Sequence, residues 1–129
     1  MFLPWYLLLF IGAFDWGFFA HGLISTESAA RVGALSNQLS FTSATYNQTS
    51  AYSAACTYVL SELRTAVNIS SSLTTCTSLP VIVTATEVTG PDSANAAQVT
   101  VEYQTQNLIP IPGVLKSQYT FYRVVKMKL

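Results

Sequence analysis

The sequence predicts an α+β protein: a long N-terminal membrane helix continuing into a domain where a second, amphipathic helix packs on a three-stranded antiparallel sheet. Three observations predict it. Residues 2–24, FLPWYLLLFIGAFDWGFFAHGLI, are almost all apolar, with Asp15 and His21 as polar interruptions. Between residues 50 and 67 apolar side chains recur at spacings of three and four, the helical period. Beyond Pro80 the period changes to two, the period of a strand.

The apolar run comes first. As a helix it reaches about 35 Å at 1.5 Å per residue, against a hydrocarbon core about 30 Å thick. Eight of the sixteen aromatic residues lie in the first nineteen positions, and the roughly one hundred residues that follow are too few to enclose such a cylinder. Two readings compete with a membrane span. A cleaved signal peptide needs a basic start, about 7–15 apolar residues and a small-residue cleavage site. Here AHGLISTESAA supplies small residues, but the run is longer and Arg31 is the first basic residue. A core helix of a soluble domain would leave an apolar cylinder exposed.

Asp15 costs about 2.5–3.5 kcal/mol on insertion scales if it lies mid-bilayer, while each neighbouring Leu, Ile or Phe returns a few tenths. A carboxylate at that depth is by default functional, meeting a partner helix or the amino terminus of a neighbouring subunit. The plainer alternative is a protonated side chain, or one wetted by headgroups. His21 has no Cys, Asp or second His at ligand spacing and reads as an interfacial residue. Trp5, Tyr6 and Trp16 suit the interfaces through their amphipathic rings.

Composition bounds the rest. A chain of 129 residues allows one domain. Six acidic and six basic residues cancel, only 9% of residues are charged, and no basic stripe offers a footprint for nucleic acid. Polarity comes from 29 Ser and Thr residues, which suits an extracytoplasmic surface or a subunit packed on its own copies. Cys56 and Cys76 both follow the membrane segment. In an oxidising compartment they would close a loop of about twenty residues, worth about 3 kcal/mol on the chain-entropy model. The alternative is two free thiols, with Cys56 on the buried face of its helix. No metal site and no cofactor site is expected.

In chain order, the first helix is expected over residues 3–37. Residues 25–36 contain no proline, and Glu27 and Arg31 stand four apart with the acid first, the favourable order on a helix. Ala29, Ala30, Val32, Gly33 and Leu35 are small or apolar and admit a close neighbour. Residues 38–48 read as a connection, and Thr49 or Ser50 can cap a second helix over 50–67. There Tyr52, Cys56, Val59, Leu60, Leu63 and Val67 share one face. Residues 68–78 read as turn and loop. Strands are expected over 81–89, 98–106 and 119–128. The first two form a hairpin across Gly90-Pro91-Asp92, and the proline-containing stretch 107–117 is no central strand. Tyr119, Phe121, Val125 and Met127 share a face of the last strand with Arg123. An apolar sheet face packed on amphipathic helices is the expected core.

Three stretches together resemble the TadE-like family of pilus-assembly proteins, the minor pseudopilins of the tight-adherence (Flp, type IVc) pilus. Leu3-Pro4 with the leucines after it, Gly12 and Asp15-x-Gly17 look like the family's apolar N-terminal pattern. Ala29-Ala30-Arg31-x-Gly33-Ala34 looks like its post-membrane helix motif. Val99-Thr100-Val101-Glu102-Tyr103, then Pro110-x-Pro112-Gly113 before a final strand, looks like its C-terminal part. The resemblance implies a single-pass subunit of the inner membrane with its C-terminal domain outside the cytoplasm. Its partners would be the lipid bilayer, other pilin-like subunits and an assembly platform. Family members carry a basic leader, a processing glycine and a glutamate before the apolar run. This sequence opens at Met1-Phe2-Leu3-Pro4, and no cleavage residue is carried over.

A mechanical role follows from that resemblance, with the membrane helix trading lipid for protein contacts through Gly12, Ala13, Gly17 and Ala20, and Asp15 as the polar contact. The alternative is a signal-anchored envelope module with a groove around Tyr103, Tyr119 and Tyr122, residues that equally suit plain sheet packing. Enzyme activity and a small-molecule substrate are not expected. Glu62, Glu87, Asp92 and Glu102 are scattered, and no phosphate loop or nucleophile elbow is present. The sequons Asn47-Gln48-Thr49 and Asn68-Ile69-Ser70 matter only in a eukaryotic secretory pathway.

Overall fold

The computed structural model describes residues 2–39, 48–66, 68–107 and 116–128. Helix α1 spans Leu3–Leu39 and α2 spans Gln48–Leu63. Strands β1 (Thr77–Ser78), β2 (Val81–Thr89), β3 (Asn95–Gln104) and β4 (Thr120–Lys128) follow. They form one antiparallel sheet in the order β1-β2-β3-β4. α1 lies against β3, β4 and α2, while α2 covers β2, giving two layers with the core between them.

α1 is an unbroken rod of 37 residues, about 55 Å long. Pro4 is tolerated because it sits in the first turn, where its missing N–H has no partner to lose. The buried hydroxyls bond back to the helix: Thr26 Oγ1 donates to the Gly22 carbonyl at 2.7 Å and Ser36 Oγ to the Gly33 carbonyl at 2.8 Å. The second half of α1 presents Ala29, Ala30, Gly33 and Ala34 to the core. Their small size sets the closeness of the layers. A Cβ on Gly33 would stand 3.0 Å from Val59 Cγ2 and 3.4 Å from Val99 Cγ1. Gly33→Val is therefore expected to destabilise the domain by about 1–3 kcal/mol through overpacking. Thermal unfolding of the full chain in detergent checks this, and an unchanged midpoint would contradict the packing.

α2 ends earlier than its periodicity suggests. The Ala66 N–H bonds to the Leu63 carbonyl at 2.8 Å, a turn tighter than a helix. The Asn68 amide then donates to the Gln104 and Thr105 carbonyls at 3.0 and 3.3 Å, drawing the chain toward the end of β3. Val67 lies outside the described residues, as do most of the connection 38–48 and Pro110, Pro112 and Gly113. Ala51, Ala55, Cys56, Val59, Leu60 and Leu63 form the buried stripe of α2, and Tyr52 packs beside it.

The sheet has four strands, not the expected three. β1 is only two residues long, too short for any period, and it pairs Thr77 with Ile82 and Ser78 with Val81 across a cis Leu79–Pro80 bond. β3 starts at Asn95, three residues early, because the turn is tighter than the expected loop. The Gly90 N–H reaches the Ala94 carbonyl at 2.7 Å, and Ser93 takes a positive φ of 59° to close it. The β2–β3 ladder consequently runs from Thr89↔Asn95 to Val81↔Tyr103. Val81, Val83 and Ala85 of β2 and Val99, Val101 and Tyr103 of β3 point to the helices, with Phe121 of β4. Each fully buried Val or Leu contributes about 1.5–3 kcal/mol over an exposed one. Lys128 Nζ meets Asp92 Oδ2 at 2.6 Å and ties the turn to β4, holding the Asp92 carboxyl below its ordinary pKa with help from the Ala94 N–H.

Cys56 and Cys76 form a disulfide, with Cα atoms 5.8 Å apart and a sequence separation of 20. It joins the middle of α2 to the segment leading into β1. The Cys76 N–H also donates to the Tyr52 hydroxyl at 3.2 Å.

Candidate functional site

The functional candidates lie along α1, which divides into two halves. Phe2, Leu3, Trp5, Tyr6, Leu7, Leu8, Leu9, Phe10, Phe14 and Trp16 are all exposed, from 56% to 78%. In water this surface would be strongly unfavourable, and such a contiguous apolar patch marks a membrane or protein contact. The helix is long and apolar enough to cross a membrane, and little of it is covered by the rest of the chain. A core helix of a soluble domain would be enclosed; this half is not.

The domain meets the rod at Phe19. Its ring stands edge-on to Tyr119 at 5.4 Å and to Phe121 at 5.2 Å. One turn on, Gly22 lets the Phe121 ring approach so closely that a Cβ would stand 2.8 Å from it. Phe121 in turn stacks on Tyr103 at 6.4 Å. Burial pushes the Tyr103 hydroxyl pKa up.

The polar interruption is buried. Asp15 is only 7% exposed, and its Oδ2 has no hydrogen-bond partner among the described residues. At about 100° per residue, Asp15 lies on the stripe that carries Phe19, Gly22, Thr26 and Gly33 toward the domain. Gly17 is about 200° away, on the opposite side. Gly12, Asp15, Gly17 and Ala20 therefore do not form one packing face. Gly12 sits near the Asp15 stripe, and Ala20 sits near Gly17. Both glycines are open, with nothing within 4 Å of a Cβ on either.

Around Gly17 the helix carries a shallow groove of about 310 Å³ lined by Ala13, Phe14, Gly17, Phe18 and His21. Phe14 and Phe18 form one wall, edge to face at 5.2 Å. The sequence reading placed His21 at the interface but missed its role in this groove. The signal was available, because Ala13, Gly17 and His21 stand at i, i+4 and i+8.

The post-membrane motif is structural in this fold. Ala29, Ala30, Gly33 and Ala34 are buried under α2 and the sheet, while Arg31 is exposed and pairs with Glu27 at 2.5 Å. Tyr103, Tyr119 and Tyr122 make no common groove. Tyr103 and Tyr119 face the helices, whereas Tyr122 is 62% exposed on the outer sheet face. A separate cleft of about 500 Å³ lies beside the disulfide, lined by Thr49, Tyr52, Cys76, Thr77 and residues 82–86. Its lining contains no acid, lysine, arginine or histidine. Among the described residues no three of His, Cys, Asp and Glu gather as metal ligands would. The Asn68 side chain is committed to the β3 carbonyls, an arrangement at odds with its sequon.

No protein-family model, curated protein or solved structure matches the chain.

Proposed function

We propose that the chain is a membrane-anchored, minor pseudopilin-like subunit that serves assembly of a tight-adherence pilus or a related secretion machine. The observation that carries this reading is the division of α1. Its first half is largely bare and apolar, and its second half is the central strut of a disulfide-closed α+β domain. Lipid and domain are joined by one continuous helix, so a pull on either is felt by the other. The order of motifs along the sequence, described above for the TadE-like pattern, agrees with that design.

In this account the anchor lies in the inner membrane and the domain lies outside the cytoplasm, where a disulfide persists. An assembly platform driven by its ATPase engages the subunit. The helix then exchanges lipid for the helices of neighbouring subunits. The groove at Ala13, Gly17 and His21 admits a helix closely, because small residues let backbones approach. Asp15, expected from the sequence to be the polar contact between subunits, is instead enclosed within its own subunit and is not available to a neighbour. The small-residue stretch around residues 20–30 lies inside an unbroken helix, which favours retention over signal cleavage.

The test fills the groove. A Cβ at residue 17 meets nothing within 4 Å, and Gly17 is exposed, so Gly17→Leu is expected to insert and fold normally. Its recovery of pilus components from membranes of the source organism is expected to fall tenfold or more. Unchanged recovery would overturn the groove's role. The alternative is a signal-anchored envelope binding module, and the cleft beside the disulfide is the feature that favours it. Gly17→Leu would leave binding at that cleft intact.

A further inference from the structure

We infer that the open edge of β4 takes up an extended, acidic segment of a partner polypeptide as an additional strand of the sheet, an inference that does not depend on the pilus reading. β4 is the last strand of the sheet and pairs only with β3. In an antiparallel ladder, hydrogen-bonded pairs alternate with unbonded ones. The Thr105 N–H bonds to the Tyr119 carbonyl at 2.9 Å, one step beyond the Gln104↔Thr120 pair. The odd-numbered residues of β4 therefore turn their N–H and C=O groups toward β3. Thr120, Tyr122, Val124, Lys126 and Lys128 turn theirs to the open edge, and all five are exposed. The row is about 30 Å long. An unpaired row of alternating donors and acceptors is the surface that an extended chain completes.

A cavity of about 490 Å³ borders the same edge, lined by Glu27, Arg31, Arg123, Val124, Val125 and Lys126. Four consecutive β4 residues, whose side chains alternate between faces, place it along the edge of the strand rather than over one face. An added strand about 4.8 Å from β4 runs in this notch, with alternate side chains toward α1.

Charge selects the occupant. β4 holds Arg123, Lys126 and Lys128 and no acid. Lys128 pairs with Asp92, and on α1 Arg31 pairs with Glu27. Arg123 and Lys126 have no ion-pair partner among the described residues. They stand three apart, on opposite faces of the strand. Arg123 is half-buried with its Nε enclosed and acts as a charge in the notch wall, whereas Lys126 is exposed and open to contact. A strand with acids three residues apart sets one beside each cation, and opposite charges across a ladder attract. Tyr122 and Val124, 62% and 40% exposed, favour β-branched or aromatic neighbours. Lysine on an edge strand discourages neutral and basic edges from pairing; an acidic strand escapes that barrier. A second copy supplies no such strand. Its β4 would set cations against cations. Its β2 is covered by β1 at Val81 and Ile82, and Val83 and Ala85 beyond are 2% and 3% exposed.

The test uses the full chain in an uncharged maltoside detergent at fixed ionic strength. The probe is an end-blocked, dye-labelled peptide, Thr-Val-Glu-Val-Thr-Glu-Val-Thr, and its control carries lysine in place of both glutamates. The acidic peptide is expected to bind at least tenfold more tightly than the basic one and to slow amide exchange at Tyr122, Val124 and Lys126. Val124→Pro removes an outward N–H and no ladder bond, a place where edge strands tolerate proline. It is expected to weaken binding tenfold or more. Lys126→Glu is expected to weaken the acidic peptide about fivefold, the upper worth of one cross-strand charge pair. It is also expected to strengthen the basic peptide, a gain that a damaged fold does not produce. Equal binding of the two peptides, unchanged binding by Val124→Pro, or unchanged exchange in β4 would overturn the inference. A chain that is dimeric in detergent and monomeric as Val124→Pro would also overturn it, by assigning the edge to a second copy.

Discussion

Replacing Cys56 and Cys76 together by serine is expected to lower the stability of the domain by about 3 kcal/mol. The bridge closes a loop of about twenty residues, and the chain-entropy cost of that closure in the unfolded state sets the magnitude. For a domain of about one hundred residues, 1 kcal/mol moves the midpoint by roughly 4–8 °C, so a fall of about 12–24 °C is expected. The location of the bridge makes the loss structural as well as entropic. It holds the 68–78 segment against α2, positions Cys76 to receive the Val83 N–H on its carbonyl at 2.9 Å, and so supports β1. Thermal unfolding of the full chain in detergent, oxidised against reduced, measures the effect without any substitution. A shift below about 3 °C would mean that α2 and the sheet hold this segment unaided.

The second large effect belongs to Asp15. Asp15→Leu is expected to favour insertion of the isolated α1 segment by about 3–4 kcal/mol, the difference between aspartate and leucine near a helix centre. In a span over residues 3–22, residue 15 lies only about 4 Å past the midpoint. A translocon insertion assay on that segment reads the change as an inserted fraction. The same substitution in the full chain is expected to leave association with neighbouring subunits unchanged, because Asp15 is enclosed within its own subunit. Better insertion with weaker association would contradict that enclosure. An unchanged inserted fraction would place residue 15 outside the hydrocarbon.

Much of this architecture is legible in the sequence, for physical reasons that can be named residue by residue. α1 was predictable because an apolar run without internal proline leads into Glu27 and Arg31, spaced for a helical pair that the structure contains. The stripe from Cys56 to Leu63 and the alternation from Val99 to Tyr103 reflect one-sided burial, which leaves a periodic trace. β1 left none, since two residues have no period. The early start of β3 was hidden because Ala96 and Ala97 read as neither strand nor loop until the 90–94 turn fixes their register.

The site was legible only in part. Gly12, Asp15, Gly17 and Ala20 were visible as small or polar residues in an apolar run, but which of them share a face depends on the helical angle. That angle separates Asp15 from Gly17. Arg123 was visible as a charge on an apolar strand face. Its position beside Glu27 is a tertiary fact, because about one hundred residues separate the two in sequence and only the packing of β4 on α1 brings them together.

The central claim is that the first half of α1 lies in lipid while the second half carries a folded, disulfide-closed domain on one side of the membrane. Protease accessibility combined with thiol labelling tests it most directly, in intact cells and in spheroplasts of the source organism, with and without reductant. The account predicts a carbonate-resistant chain whose C-terminal domain is reached by protease only from the outer side. It also predicts that Cys56 and Cys76 label only after reduction. A chain released in soluble form, with both thiols free and the domain reached only from the cytoplasm, would contradict the anchor and the pilus reading together.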